Sequence, residues 1–215
     1  MTDAKFIYSL AELMAQCDLT ALPPEDMKAW ELMNTVGKET QLSKGCMNVF
    51  FDTEFTTIEK DGFRTLISIG CVAQDGREFY AELSDTWHPA NCSEFVVTTV
   101  LPLLQGGAYR MTEAELATRL KDWIEGLTEN KVVLRTDSPF YDWPWVEQLF
   151  TFFGCWPKNL RRKCGTIYFN HDHHVSRYQQ GLEDYWKLNA ARRHHALADA
   201  KSLLFARNFA IGRGM

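Results

Sequence analysis

The chain has 215 residues, with 28 acidic against 23 basic side chains and a net charge of −5. Its 46% hydrophobic and 13% aromatic content is enough to bury a core in one sizeable domain with a short appendage, which excludes global disorder. The acidic balance excludes a general duplex-coating protein, which would be strongly basic. It does not exclude a nuclease, whose metal-holding carboxylates count as negative until their ions bind. No apolar run approaches the roughly 18–20 residues needed to cross a bilayer. No basic segment followed by a long apolar stretch opens the chain. A soluble, cytoplasmic protein with no membrane partner is expected. The six cysteines include no Cys-x-x-Cys pair, so they read as scattered thiols rather than a disulfide framework or a zinc site.

The first 45 residues stand apart. Residues 8–17 (YSLAELMAQC) have helical periodicity through Leu10, Leu13 and Met14. Pro23 and Pro24 then break the pattern, and a polar stretch leads to a boundary near residues 44–46. From Met47 the pattern becomes β. MNVFFDTEF (47–55) reads as a central strand and TLISIGCVA (65–73) as a second. Asp75-Gly76 signals a hairpin into REFYAEL (77–83), so three antiparallel strands are expected to open the domain. A helix is expected over 93–104, ending near Pro102 or just beyond it. Another is expected over 112–126, with Thr112 as N-cap, Glu115 completing a capping box and Gly126 at the end. KVVLRT (131–136) reads as a fourth strand and WPWVEQLFTFF (143–153) as a helix with Pro144 in its first turn. The pattern assigns no further element before a last helix over about 196–210. This order makes an α/β fold, compatible with a ribonuclease H-like mixed sheet with helices on both faces.

Three features carry chemistry. In a strand, side chains two apart share a face, so Asp52 and Glu54 point the same way while Phe51, Thr53 and Phe55 take the other. Two carboxylates side by side on a buried strand repel and lose hydration, and a divalent cation is the usual reason for such a pair. Oxygen-only ligands select hard ions such as Mg²⁺ or Mn²⁺. In HHALADAKSLL (194–204), a helix starting near Ala196 places Asp199 about one turn in, close to His194 and His195. In TDSPFYDWPW (136–145), Asp142 falls at a helix start and Asp137 at a strand end, and either can supply a third carboxylate. Taken singly, each has an ordinary explanation: solvated edge-strand acids, incidental surface histidines, a helix N-cap.

Together, the stretch from about Met47 to Ala210 resembles the DEDDh 3′–5′ exonuclease superfamily. VFFDTEFT is similar to its first motif, FYD (140–142) to its second and HHALADA to its third, His-x-Ala-x-x-Asp-Ala. The resemblance implies Asp52, Glu54, Asp142 and Asp199 as metal ligands, favouring Asp142 over Asp137. It implies His194 as general base, with His195 at the spacing of the tyrosine variant. MNVFFDTEF followed by LISIGCVAQDGREFYAELS looks like the mycobacterial-type 3′–5′ exoribonuclease branch, which implies RNA as substrate. A single-stranded 3′ end of DNA is the alternative partner, and a dead nuclease fold that only binds is the rival from another class. SPFYD departs from the His-Asn pair of many members, and residues 56–64 form an insert. The implied mechanism uses two Mg²⁺ or Mn²⁺ ions about 3.5–4 Å apart and releases nucleoside 5′-monophosphates. A homodimer is expected by analogy.

Phe55, Thr53, Phe140, Tyr141 and Arg193 are the substrate-binding candidates: aromatics near the motifs for stacking on bases, and a cation for phosphate. Arg192 and the run RRK (161–163) offer further phosphate contacts. HDHH (171–174) fits no standard zinc spacing. IYSLAELMAQCDLT, with PEDMKAW and VGKE after it, is similar to the C-terminal tail of MazE/ChpS-type antitoxins. That likeness implies a toxin-like partner reached through residues 1–45, beside an exonuclease domain over 46–215.

Overall fold

The computed structural model describes residues 45–57, 64–167, 169 and 171–212. The reading of residues 1–44 and of most of the insert at 56–64 lies outside these. Three hairpin-linked strands come first: β1 (Met47–Phe55), β2 (Leu66–Ala73) and β3 (Glu78–Leu83), each antiparallel to the next. The turn between β2 and β3 needs Gly76, whose φ is +92° and whose N–H donates to the Ala73 carbonyl at 2.9 Å. Two-residue β4 (Arg110–Met111) runs parallel to β3, and β5 (Val132–Thr136) runs parallel to β1. Two-residue β6 (Gly165–Thr166) runs parallel to β5. The sheet order is β4-β3-β2-β1-β5-β6, so β1 is central.

Both faces of β1 are buried, which is why its sequence reads as an almost continuous apolar run. Val49 and Phe51 join Leu134 and Phe150 in the larger core, under α1 (Glu113–Leu127) and α2 (Pro139–Phe152). Phe50 faces the other way, onto Ala200 and Leu203 of α4 (Ala196–Ala210). Outside α4 packs α3 (Asp172–Asn189), and Gly181 lets the two helices close up: a Cβ there would fall 2.8 Å from the Ala206 Cα. Helices therefore cover both faces of a mixed sheet, as the sequence indicates. No helix among the described residues is long and apolar enough to cross a membrane.

Four expectations change. The helix expected over 93–104 is present over 94–103 but irregular: a π-helical turn, Val96–Val100, runs into a 3₁₀ turn, Leu101–Leu103. α1 keeps its capping box, with Thr112 Oγ1 accepting from the Glu115 N–H and Glu115 accepting from the Thr112 N–H. It runs one residue past Gly126, however, and ends at an extended Thr128. α2 begins at Pro139 rather than Trp143, because proline suits a first helical position where no N–H is needed. Pro144 then leaves the Phe140 carbonyl without its helical donor, yet the helix continues. Finally α3, the longest helix among the described residues, fills a stretch to which the pattern assigned nothing.

Candidate active site

Carboxylates from three separate stretches of chain meet at the carboxyl ends of β1 and β5, where ligands of open α/β sheets commonly lie. Asp52 and Glu54 alternate with the buried Thr53 and point to the face covered by α4. Across from Asp52 in β2 sits Gly70, whose missing side chain would share that face. A Cβ on Gly70 would fall 2.2 Å from the Leu197 nitrogen and 2.3 Å from the Ala196 carbonyl carbon. Without one, the amino end of α4 lies directly on the sheet, and its first turn brings in Asp199. One oxygen from each of Asp52, Glu54 and Asp199 lies within 4.8 Å of the others. Among the described residues no other group of His, Cys, Asp and Glu converges in this way.

Asp142 stands beside this trio. It lies in the first turn of α2, with its N–H donating to the Ser138 carbonyl, so Ser138 and not Asp142 is the N-cap. It is only 2% exposed. Thr53 donates its hydroxyl to Asp142 Oδ1 at 2.6 Å, and Thr136 donates to Oδ2 at 2.5 Å. Each oxygen keeps a free lone pair. Asp137, the rival, is exposed on the same cavity wall.

The electrostatics are those of an acid cluster short of counter-charge. Burial, then the charges of Asp142 and Glu54, push Asp52 well above the usual carboxylate range. Burial and Asp199 do the same to Glu54. Burial raises Asp142 to about 6 against the pull of the Thr136 and Thr53 hydroxyls. It raises Asp199 to about 7 against the His194 backbone N–H and the Arg193 charge. Asp199 Oδ2 is buried with no hydrogen-bond partner. An all-oxygen donor set with an orphaned buried oxygen fits hard divalent cations.

The two histidines part company. His194 lines the cavity with the carboxylates, its ring edge-on to Phe95 at 5.0 Å. Burial, then Arg193, lowers its pKa, so it is a neutral base at pH 7. His195 is buried on the far side, stacked on Tyr80 at 4.4 Å with Nε2 2.8 Å from Gln105 Nε2. Burial and Arg192 lower it to about 4. The Gln105 and Gly106 N–H groups and the Tyr80 hydroxyl all donate to the buried Glu82, so His195 rests on a fixed frame. Between them the chain turns sharply: His194 has φ +68°, in the left-handed region. That conformation costs a non-glycine residue roughly 1–3 kcal/mol. His194→Gly is therefore expected to be about 1 kcal/mol more stable than His194→Ala, by urea unfolding, while both lose the same activity. A glycine variant less stable than the alanine one would show that the backbone there is unstrained.

The cavity has a volume of about 1370 Å³. Of the substrate candidates, Phe55, Tyr141 and Arg193 line it, and Phe55 stacks on Tyr141 at 6.3 Å. Thr53 lines it too, but its hydroxyl is committed to Asp142. Phe140 is 90% exposed and is not part of the lining. Sequence reasoning missed the opposite wall, Phe95 and Val96 from the π turn and Leu182 and Trp186 from α3. The aromatic-bearing stretch DYWKLN was the available signal for Trp186, and nothing singled out Phe95. It also missed Gly70, although a glycine within an apolar strand marks a close backbone approach.

No protein-family model matches the chain. Two curated proteins of Mycobacterium tuberculosis, from strains CDC 1551/Oshkosh and ATCC 25618/H37Rv and each described as a 3′–5′ exoribonuclease, are 40% identical to it over 100 residues. The match takes in 46% of this chain and 54% of theirs, so the chain spans about half the length of the curated relatives it matches. Among solved structures, two Escherichia coli exonuclease I complexes share the fold: a zinc-bound form with single-stranded DNA and one with a dA16 oligonucleotide. Each has a TM-score of 0.50 at 14% identity. They cover 79% and 78% of this chain and 41% of theirs. The fold is thus the ribonuclease H-like mixed sheet of that enzyme.

Proposed function

We propose that the chain is a metal-dependent 3′–5′ exonuclease acting on single-stranded RNA and releasing nucleoside 5′-monophosphates. The observation that carries this reading is the convergence of Asp52, Glu54 and Asp199 on one focus, with Asp142 alongside and neutral His194 in the same cavity. Asp52, Glu54 and Asp199 would hold one Mg²⁺ or Mn²⁺, and Asp142 beside them would help to hold a second. Such ions would supply charge neutralisation for the attacking and leaving oxygens of an in-line displacement. His194 takes the proton from the attacking water at its free ring nitrogen. Phe55 and Tyr141 stack on the terminal base, and Arg193 meets its phosphate. Thr53 and Thr136 keep the Asp142 carboxylate from rotating out of place. The mycobacterial relatives described as exoribonucleases support RNA over DNA, since a 2′-hydroxyl contact alone separates the two.

The test uses 5′-labelled single strands of RNA and DNA, with Mn²⁺ or with EDTA. The expected result is a ladder shortening one nucleotide at a time from the 3′ end of RNA, only with metal. Shortening in EDTA would remove the metal from the reaction. Degradation of DNA with RNA untouched would reassign the substrate.

A further inference from the structure

The basic run at 161–163 plays no part in the cavity that holds the carboxylates. With the residue before β5 and the loop after α2, Arg161 and Arg162 of this run form a second concavity of about 590 Å³. Lys131, Lys158, Arg161 and Arg162 line it together with Trp156, and no carboxylate of a described residue does. All four cations are exposed, on a chain whose net charge is −5. Lys131 Nζ donates to the Lys158 carbonyl at 3.1 Å, and the Arg162 guanidinium lies 4.6 Å from the Trp156 ring centroid. Neither Lys131 nor Arg162 is in an ion pair with a described residue. The nearby Glu125 is engaged by Lys121 at 3.2 Å and by the Lys158 backbone N–H at 2.8 Å. The like charges of Lys131 and Arg162 at one hollow repel until an anion shares them. A guanidinium on an indole adds a flat face to which a base can stack.

The location matters as much as the charge. Lys131 immediately precedes β5, and Thr136, which holds Asp142, ends it. Five strand residues span about 17 Å, so the basic hollow and the acid cluster lie at opposite ends of the same strand. A strand whose 3′ terminus sits among the carboxylates reaches the hollow only several nucleotides upstream. The geometry points to a second nucleic-acid site in this hollow, which grips the phosphodiester backbone of the strand upstream of the end being trimmed; it rests on the exonuclease reading. The grip is to phosphate, so it is indifferent to base sequence and to the sugar.

The test is a binding measurement made in EDTA, where trimming does not interfere. Fluorescence anisotropy is followed for labelled single strands of RNA and of DNA of about a dozen nucleotides, across a salt series. The double variant Lys131→Ala with Arg162→Ala is expected to bind both strands about tenfold more weakly at low salt. Its slope of log affinity against log salt should be shallower by about 1.4, the loss of two phosphate contacts on a single strand. Lys158→Glu, a second exposed position, should weaken binding in the same direction. In trimming assays with Mn²⁺ the double variant should raise KM for the long strand and leave both kcat and dinucleotide turnover unchanged. Wild-type affinity and slope in the double variant would overturn the site. So would displacement of the strand by a polyglutamate peptide at equal charge concentration, which would make the hollow an acidic-peptide site. Pocket-dependent strand binding without any metal-dependent trimming would support the site and sink the exonuclease reading instead.

Discussion

Asp52→Asn is expected to cut metal-dependent trimming at least about a thousandfold while raising the Tm of the metal-free protein. The two effects have one cause. Asp52 is held among Glu54, Asp142 and Asp199 at the cost of burial and like-charge repulsion, and asparagine removes both with almost no change of shape. A purely structural residue would lose stability when altered; a ligand waiting for its ion gains it. In the unfolded chain such carboxyls titrate near 4, to within about a unit. In the folded protein Asp142 titrates at about 6 and Asp199 at about 7. Between those values the folded state binds more protons than the unfolded one. The stability of the metal-free protein is therefore highest, as far as these groups decide it, below about pH 4 and falls as pH rises toward 7. Mn²⁺ or Mg²⁺ at neutral pH should restore it by mass action, and Asp52→Asn should lose that restoration. Differential scanning calorimetry with and without metal reads all of this. A metal-free Tm that is flat across this pH range, or that metal leaves unmoved, would mean that the acids are simply solvated.

Gly70→Ala should be nearly as damaging without touching an acid. The added methyl would lie 2.2 Å from one backbone atom of α4 and 2.3 Å from two more. Backbone cannot swing aside as a side chain does, so the amino end of the helix must lift by about 1 Å or more to restore ordinary contact. Overpacking of this kind costs roughly 1–3 kcal/mol. The larger consequence is in the site, because His194 and Asp199 flank the displaced residues while Asp52 and Glu54 stay on the sheet. A misplacement of that size costs about a hundredfold in kcat. Mn²⁺ titration of the folded variant should show a matching loss of affinity. Gly126→Ala is the control: it lies in α1, nothing stands within 4 Å of its added Cβ, and it should gain about 0.5–1 kcal/mol with activity unchanged. Full activity in Gly70→Ala would show that α4 does not depend on that approach for its seat.

The legible parts of the sequence were those that repeat or alternate. Asp52 and Glu54 lie on one face because strand geometry leaves no choice, and Thr112 with Glu115 announced α1 through a local exchange of hydrogen bonds. The last helix and the place of Asp199 in its first turn came from HHALADA. Elements whose stability comes from elsewhere were not legible. β4 and β6 are two residues each, too short for any period to show. In α3 only Gly181 is fully buried and the composition is polar on average, so the stretch carries little of the apolar core that announces a helix. Its contribution to the cavity, Trp186 among others, stayed hidden with it. The choice between His194 and His195 rested on a motif, since spacing allowed both. Their separation is tertiary: His195 is turned inward by Tyr80 and Gln105, both distant from it in the chain.

The widened turn at Val96–Val100 has a consequence for tolerance to deletion. There the Leu101 N–H bonds to the Val96 carbonyl, five residues back instead of four. Such a turn is an ordinary helical one carrying a single surplus residue. Excising one residue, Val97 for instance, would let the segment relax to regular α-helix. Residues before and after the cut would keep their faces, because the widened turn already takes up the surplus residue within a single turn. Phe95 would therefore stay edge-on to the His194 imidazole, and the wall facing the acids would keep its aromatic contact. A one-residue deletion at this point is therefore expected to spare the cleft as well as the core.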